Sequence, residues 1–253
     1  MISRYEVSLN GVPLSSLYPA SIYVSDIAHT AASVTYATNR LMGRQGAYSG
    51  KPYITAARVG ISFAVREYST QRRQEVVQDI AAWAMNGGWL ETSDRPGQRL
   101  YVRCTQYPSV ASAMRWTDDL SVQFTAYDLP LWQDIAPHTV TVANGGTGTL
   151  YLPGHYKTEV EAVITAGAAL GSIALTCGDT SLTLSGLSVP ADGTVTISYT
   201  EDHRILQIMQ GTTSLLDKRT GDDDLIAEPG NNTVGLTTDG AASCVFKVKG
   251  VYL

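Results

Sequence analysis

Along most of this chain, hydrophobic residues alternate singly with polar ones, the two-residue period of strands with one buried face. "RYEVSLNGVPL" sets Tyr5, Val7 and Leu9 on one face, then reaches Asn10-Gly11, a pair that accepts the positive φ of a tight hairpin turn. "SIYVSDIA" reads as a further strand. "SVTYATNRLMGRQGAYSGKPYITAARVGISFAVREY" predicts two strands around a glycine-punctuated loop from Asn39 to Pro52, with "RVGISFAVREY" alternating cleanly. That loop is long for a plain hairpin. It and the residue after it carry Arg40, Met42, Arg44, Tyr48 and Tyr53, side-chain types enriched at protein interfaces.

One stretch breaks the β period. "STQRRQEVVQDIAAWAMNGG" starts at a Ser/Thr pair, spaces Val76, Val77, Ile80, Trp83 and Ala84 as a helical stripe, and stops at Gly87-Gly88. The spacing predicts one amphipathic helix over 71–86. Arg72 and Arg73 fall in its first turn and are expected to be exposed. Cations there oppose the helix dipole, which leaves them plain solvation or a contact with an acidic neighbour.

Beyond the helix, "WLETSDRPGQRLYVRCTQYPSV" gives a short strand, a polar turn at Asp94 to Gly97 and a strand through Tyr101 and Cys104, with Pro fixing φ and Gly taking the permissive position. "DDLSVQFTAYDLPLW" alternates Leu120, Val122 and Phe124 and ends at Pro130, as the last strand of a first domain followed by a connection near Gln133 to Pro137. From His138 onward no convincing helix is visible. Strands are expected in "HTVTVAN", "EVEAVITAG", "SIALTCGDTSLTLSG", "GTVTISYTEDHRILQIMQG", "TSLLDKRT", "NNTVGLTT" and "CVFKVKGVYL", with turns at Gly178-Asp179, Asp192-Gly193 and Asp239-Gly240. This regular spacing predicts a β-sandwich or jelly roll. The expected domains are 1–134 and 135–253.

Composition agrees with that reading, since only 16% of residues are charged while Thr, Ser, Gly, Val and Tyr are frequent. Charge changes at the same place as the pattern. Up to Asp134 there are 12 Lys/Arg against 11 Asp/Glu, and from Ile135 there are 6 against 12. Neither half has the basic face of a nucleic-acid binder. "MISRYEVSLNG" has no apolar signal core and no run reaches the roughly 18 apolar residues of a span, so neither a cleaved signal nor a membrane segment is expected.

An enzyme needs convergent reactive groups. Cys104, Cys177 and Cys244 sit apart in apolar, strand-like contexts and are expected to be small buried hydrophobes. His29, His138, His155 and His203 lack metal-ligand spacing, and there is no His-Glu-x-x-His, paired Cys-x-x-Cys, nucleophile elbow or P-loop. Gly145-Gly146-Thr147-Gly148 lacks the Lys and helix of a phosphate cradle and reads as a turn. Glu159 and Glu161 share a strand face as exposed charges. The acidic run "GDDDLIAEPGNN" lacks the alternating oxygen ligands and central Gly of a calcium loop. It reads as a loop entering a strand at Leu225-Ile226 and turning at Pro229 to Asn232, its charge guarding a strand edge. Asn231-Asn232-Thr233 matches a glycosylation sequon without a secretory context.

The ordered set of features resembles a known family. An initial hairpin, a long loop with "GRQG", an alternating strand, the "RRQEVVQDIAAW" helix, "LETSDRPGQRLYV" and a closing "FTAYDLPLW" resemble the N-terminal domain of the distal tail protein (Dit) of long-tailed bacteriophages. The half from His138, with "EPGNNTV" before its last strands, resembles that family's galectin-like β-sandwich. The resemblance spans nearly the whole chain, though each motif alone is turn chemistry. It implies a mainly β fold: an N-terminal β-sandwich-like, ring-forming domain with one helix, and a galectin-like C-terminal sandwich. It also implies a homohexameric ring at the tail tip or baseplate that joins the major tail tube protein to the hub protein, the tail-associated lysin. The Asn39 to Pro52 loop then looks like a belt reaching the neighbouring subunit, with Arg40, Met42, Arg44, Tyr48 and Tyr53 as ring contacts and Arg72 and Arg73 as further candidates. A surface loop of no such use is the plain alternative. No insertion of the kind that carries an added carbohydrate-binding module is visible.

The implied location is the virion, after synthesis in the host cytoplasm. No enzyme activity, cofactor, metal, nucleic acid or membrane is expected. The competing reading is a carbohydrate-binding β-sandwich for host attachment, because fold alone does not decide function. Its candidate platforms in the second half are Tyr151, Tyr156, Tyr199, Phe246 and Tyr252, with no Trp after Trp132.

Overall fold

The computed structural model describes residues 3–39, 48–108, 117–200, 205–222 and 224–253. The chain is mainly β and separates into two compact units, Met1–Trp132 with Leu253, and Gln133–Tyr252.

In the first unit, strands run in the order Val12–Pro13, Val7–Leu9, Gly88–Thr92, Gln98–Gln106, Thr117–Ala126, Ala57–Val65, Ile22–Thr30, and neighbours along this order pair antiparallel. Strand Gln98–Gln106 serves two neighbours. Its first part pairs with Gly88–Thr92 and its second with Thr117–Ala126, with a register shift between Cys104 and Gln106. The alternation in "RVGISFAV" is realised directly, with Val59, Ile61, Phe63 and Val65 buried against Phe124, Val122 and Leu120.

The helix spans Thr70–Met85. Ser69 caps it by accepting from the Arg72 backbone N–H at 3.4 Å, and Gly87 follows its end at φ +61°, where residues other than Gly are strained. Val76, Val77, Ile80 and Ala84 are buried, each larger side chain contributing roughly 1.5–3 kcal/mol. Trp83 reaches further, donating its indole N–H to the Val12 carbonyl at 3.0 Å and meeting Phe124 edge-on at 6.1 Å. The periodicity left out one short turn of helix, Leu14–Leu17, which buries Leu14.

Arg73 corrects the expectation of an exposed first turn. It is 2% exposed. Its guanidinium donates to the Glu67 carbonyl at 2.7 Å and to Thr70 Oγ1 at 3.0 Å, so it holds the chain entering the helix and is not available as a surface contact. Arg72 is exposed as expected.

The second unit is a sandwich of two antiparallel sheets. One orders His138–Ala143, Ala242–Val248, Glu161–Ala166, Thr194–Tyr199, Leu206–Gln210 and Thr213–Ser214; the other orders Thr147–Leu152, Gly230–Thr238, Leu170–Cys177, Thr180–Val189 and Arg219–Gly221. Their inner faces share one core that includes Ile164, Ile197 and Phe246 from the first sheet and Leu150, Ile173, Leu175 and Leu236 from the second. Two readings change here. Strand Thr147–Leu152 was hidden behind the glycine-rich turn, and "TSLLDKRT" is two short strands around a 3-10 turn at Leu216–Lys218. Cys177 and Cys244 are buried, with burial pushing their thiols up to about 11 and about 12, while Cys104 is only half-buried. Among the described residues, no helix is long and apolar enough to cross a membrane.

Candidate functional site

Strands Val34–Asn39 and Tyr48–Ile54 form a two-stranded sheet of their own, an arm carried by the first unit. Val34 lies opposite Ile54, Thr35 opposite Tyr53 and Tyr36 opposite Pro52; after a register shift, Thr38 faces Ser49 and Asn39 faces Tyr48. The β-branched and aromatic run Val34 to Tyr36 favours a strand, and Pro52 is tolerated because a ribbon has an open edge on each side. The arm's base is clipped. Thr55 N–H donates to the Ser33 carbonyl at 2.8 Å, Ser33 N–H donates to Thr55 Oγ1 at 2.9 Å, and the two hydroxyl oxygens lie 2.8 Å apart.

This geometry narrows the expected loop of Asn39 to Pro52, because residues 48–52 are strand. Tyr48 belongs to that strand, and Arg40, Met42 and Arg44 lie outside the described residues. Tyr53 is 55% exposed. Composition singles out Tyr53, whereas Val34 and Tyr36, half-exposed at 50% and 53%, carry the sequence pattern of ordinary strand residues. Residues two apart share a face, so Val34 and Tyr36 point one way and Tyr53, opposite Thr35, points the other. A lone two-stranded hairpin is marginally stable in water. One showing apolar surface on both faces has the character of a docking element.

Arg72 belongs to a separate patch. Its guanidinium lies 4.9 Å over the Tyr18 ring and donates to Glu75 Oε2 at 3.0 Å, while Tyr18 O–H donates to Asp79 Oδ2 at 2.5 Å. That bond to Asp79, first among the causes, raises the Tyr18 phenol above its ordinary value. The predicted set therefore divides into the arm, this helix patch and the buried Arg73.

In the second unit, Tyr199 and Phe246 are buried, at 6% and 0% exposure, which withdraws both from any sugar platform; Tyr151 and Tyr156 remain exposed. The acidic run is built into the fold. Asp222 exchanges two bonds with Ser181, accepting the Ser181 N–H on Oδ2 at 2.7 Å and donating its own N–H to the Ser181 carbonyl at 2.9 Å. Leu225 is fully buried, and Ile226–Ala227 pairs with Thr158–Glu159. Asn232 closes the following turn by accepting from Glu228 N–H at 2.9 Å and donating to its carbonyl at 2.7 Å, and the strand resumes at Gly230, earlier than the sequence suggested. Among the described residues, no group of three or more His, Cys, Asp or Glu side chains is placed to hold a metal ion.

No protein-family model matches the sequence, and no curated protein matches it. Solved structures do match. The Dit protein of phage SPP1, described as a paradigm of the hub adsorption apparatus in phages infecting Gram-positive bacteria, superposes with a TM-score of 0.73 over 97% of this chain and 98% of its own, at 14% identity. A chain of the phage P2 baseplate in its activated conformation with Ca matches with a TM-score of 0.56, at 10% identity, over 99% of this chain and 98% of that one. The corresponding baseplate with Sr gives a TM-score of 0.54 at 11% identity, covering 97% of each chain. At such identities the shared property is the fold. This chain is Dit-like in fold along its whole length.

Proposed function

We propose that this protein is a structural component of a phage tail tip, a hexameric ring subunit that joins the tail tube to the hub protein. The observation that carries the reading is the match to SPP1 Dit over both units at once, since a shared sandwich alone would cover only part of either chain. The arm supports it. Its two uncovered faces suit a ribbon that lies against a neighbouring copy, and the Ser33–Thr55 clip fixes where it leaves the body. In this reading the arm makes the ring contacts. The protein works by assembly, in the virion after synthesis in the host cytoplasm, and performs no catalysis.

The test of the arm is the double substitution Tyr36→Ser and Tyr53→Ser. Both side chains are more than half exposed, so the folded protomer is expected to keep its circular dichroism and thermal midpoint. The assembled species is expected to shift toward protomer, with at least a tenfold weaker association constant, as for the loss of buried aromatic anchors. An unchanged mass distribution would remove the arm from the interface.

A further inference from the structure

Asparagine followed by glycine is a chemically fragile pair. Glycine has no side chain to shield its backbone nitrogen, so that nitrogen can attack the amide carbon of the side chain before it. The chain holds three such pairs, Asn10-Gly11, Asn86-Gly87 and Asn144-Gly145, and all three asparagines are exposed. They share one local chemistry and differ in what holds the amide.

Two of them are tied across the fold. The Asn10 side chain accepts from the Trp89 N–H and donates to the Gly87 carbonyl, 79 and 77 positions away. The Asn144 side chain donates to the Thr238 and Gly240 carbonyls at 3.1 and 2.8 Å and accepts the Thr238 N–H at 2.8 Å, across 94 and 96 positions. Its glycine is held as well, the Gly145 N–H donating to the Leu236 carbonyl at 2.9 Å. Turning either amide onto its glycine breaks these long-range bonds and requires the surrounding fold to open.

Asn86 is held differently. It follows the helix Thr70–Met85 at φ −81° and ψ −11°, and among the described residues its side chain has no recorded hydrogen bond. The reacting nitrogen is restrained by one local bond, from the Gly87 N–H to the Ala84 carbonyl at 3.1 Å, three positions back. Helix ends fray, and fraying of this last turn releases both reacting groups. The Gly87 carbonyl, held by Asn10, belongs to the following peptide and stays in place.

We infer that Asn86 is a site of spontaneous deamidation in the folded protein. The Gly87 nitrogen bonds to the Asn86 side-chain carbon and gives up its proton, the side-chain carbon–nitrogen bond breaks, and ammonia leaves. The cyclic imide then takes up one water, which opens it at either carbonyl to aspartate or isoaspartate. Both products add a negative charge at a helix C-terminus, where the dipole is already negative. Isoaspartate also lengthens the backbone by one carbon just before Gly87, whose carbonyl receives the Asn10 amide. The reaction is one-way and loosens the contact between the first hairpin and the helix exit, so an aged chain differs from a new one at this point. The inference rests on these contacts and is independent of any ring.

The experiment incubates the full-length folded protein in mildly alkaline heavy-oxygen water, where each new carboxyl takes up label. Cleavage after Lys and Arg puts the three pairs on separate peptides, whose label is read by mass spectrometry. Label at Asn86 is expected at least about tenfold faster than at Asn10 or Asn144, since a helix end opens more often than tertiary structure. In denaturant the three rates are expected to agree within about threefold, because only the shared chemistry then acts. Equal rates in the folded chain, Asn10 or Asn144 ahead, no label at any pair, or the same Asn86 lead in denaturant would overturn the inference. Asn86→Gln, whose extra methylene disfavours ring closure, is expected to lose the label and keep the wild-type midpoint; label that persists there contradicts the site. Asn86→Asp, which carries the product's charge, is expected to lower the thermal midpoint by about 2–4 °C. An unchanged midpoint would contradict the loosening.

Discussion

Asn10 and Trp89, 79 residues apart, are bolted together: the Asn10 side-chain oxygen accepts the Trp89 backbone N–H at 2.9 Å, and the Asn10 N–H donates to the Trp89 carbonyl at 2.8 Å. The same side chain donates to the Gly87 carbonyl at 3.0 Å. The tip of the first hairpin thus locks the exit of the helix, and two local signals, a turn pair and a helix stop, become one tertiary joint. Gly88 makes room for it: a Cβ there would lie 2.1 Å from the Asn10 side-chain oxygen, and its φ of +125° strains any other residue.

Asn10→Ala removes two side-chain bonds and leaves Ala at φ +52°. A cost of about 2–3 kcal/mol is expected, visible as a fall in thermal midpoint on the order of 5–10 °C. Gly88→Ala is expected to cost at least as much, while Gly11→Ala, which meets open space and carries only backbone strain at φ +75°, costs less. Equal midpoints for Gly88→Ala and wild type would refute the joint.

Neighbouring arginines are expected to behave oppositely. Arg73→Ala leaves the Glu67 carbonyl without a donor inside the fold and is expected to cost about 2–4 kcal/mol by chemical denaturation. Arg73→Lys should recover little of it, since an ammonium cannot reach both acceptors as the planar guanidinium does. Arg72→Ala, at an exposed position, is expected to leave stability unchanged. A result in which Arg72→Ala is the more damaging of the two would reverse the assignment.

Asp94 gives the first unit a defined acid sensitivity. Burial alone would raise its carboxyl, but hydrogen bonds from Thr92 and His29 outweigh it and hold the folded carboxyl below the unfolded value, so the folded state binds fewer protons. The contribution is therefore present above roughly pH 4, the ordinary Asp range, and is lost as pH falls through the lowered folded value. Asp94→Asn is expected to flatten the stability profile between about pH 4 and pH 2 relative to wild type. Parallel profiles would mean the carboxylate is not engaged as described.

Legibility in the sequence followed the range of each signal. The alternating strands, the Thr70–Met85 helix and the Asn10-Gly11 turn were readable because each is written in adjacent residues. The arm's second strand was not, because Gly50 and Pro52 read as breakers and a ribbon exposed on both faces has no one-sided hydrophobic pattern. Arg73 looked like a surface cation because its shorter hydrogen bond goes to a backbone carbonyl, which leaves no mark in the side-chain pattern. His29 and Asp94 are 65 positions apart and meet only through the fold. Of the exposed residues on the arm, composition picked out Tyr53 but not Val34 and Tyr36.

The measurement that tests the central claim most directly is the solution mass by light scattering over a concentration series. A ring of six copies of the 27.1 kDa chain, closed by cyclic symmetry, would have a mass of about 163 kDa. The account predicts that this species grows in with concentration and persists as a plateau. A mass that stays at the protomer value up to the highest soluble concentration, or that climbs without a plateau, would contradict a self-closing six-membered ring.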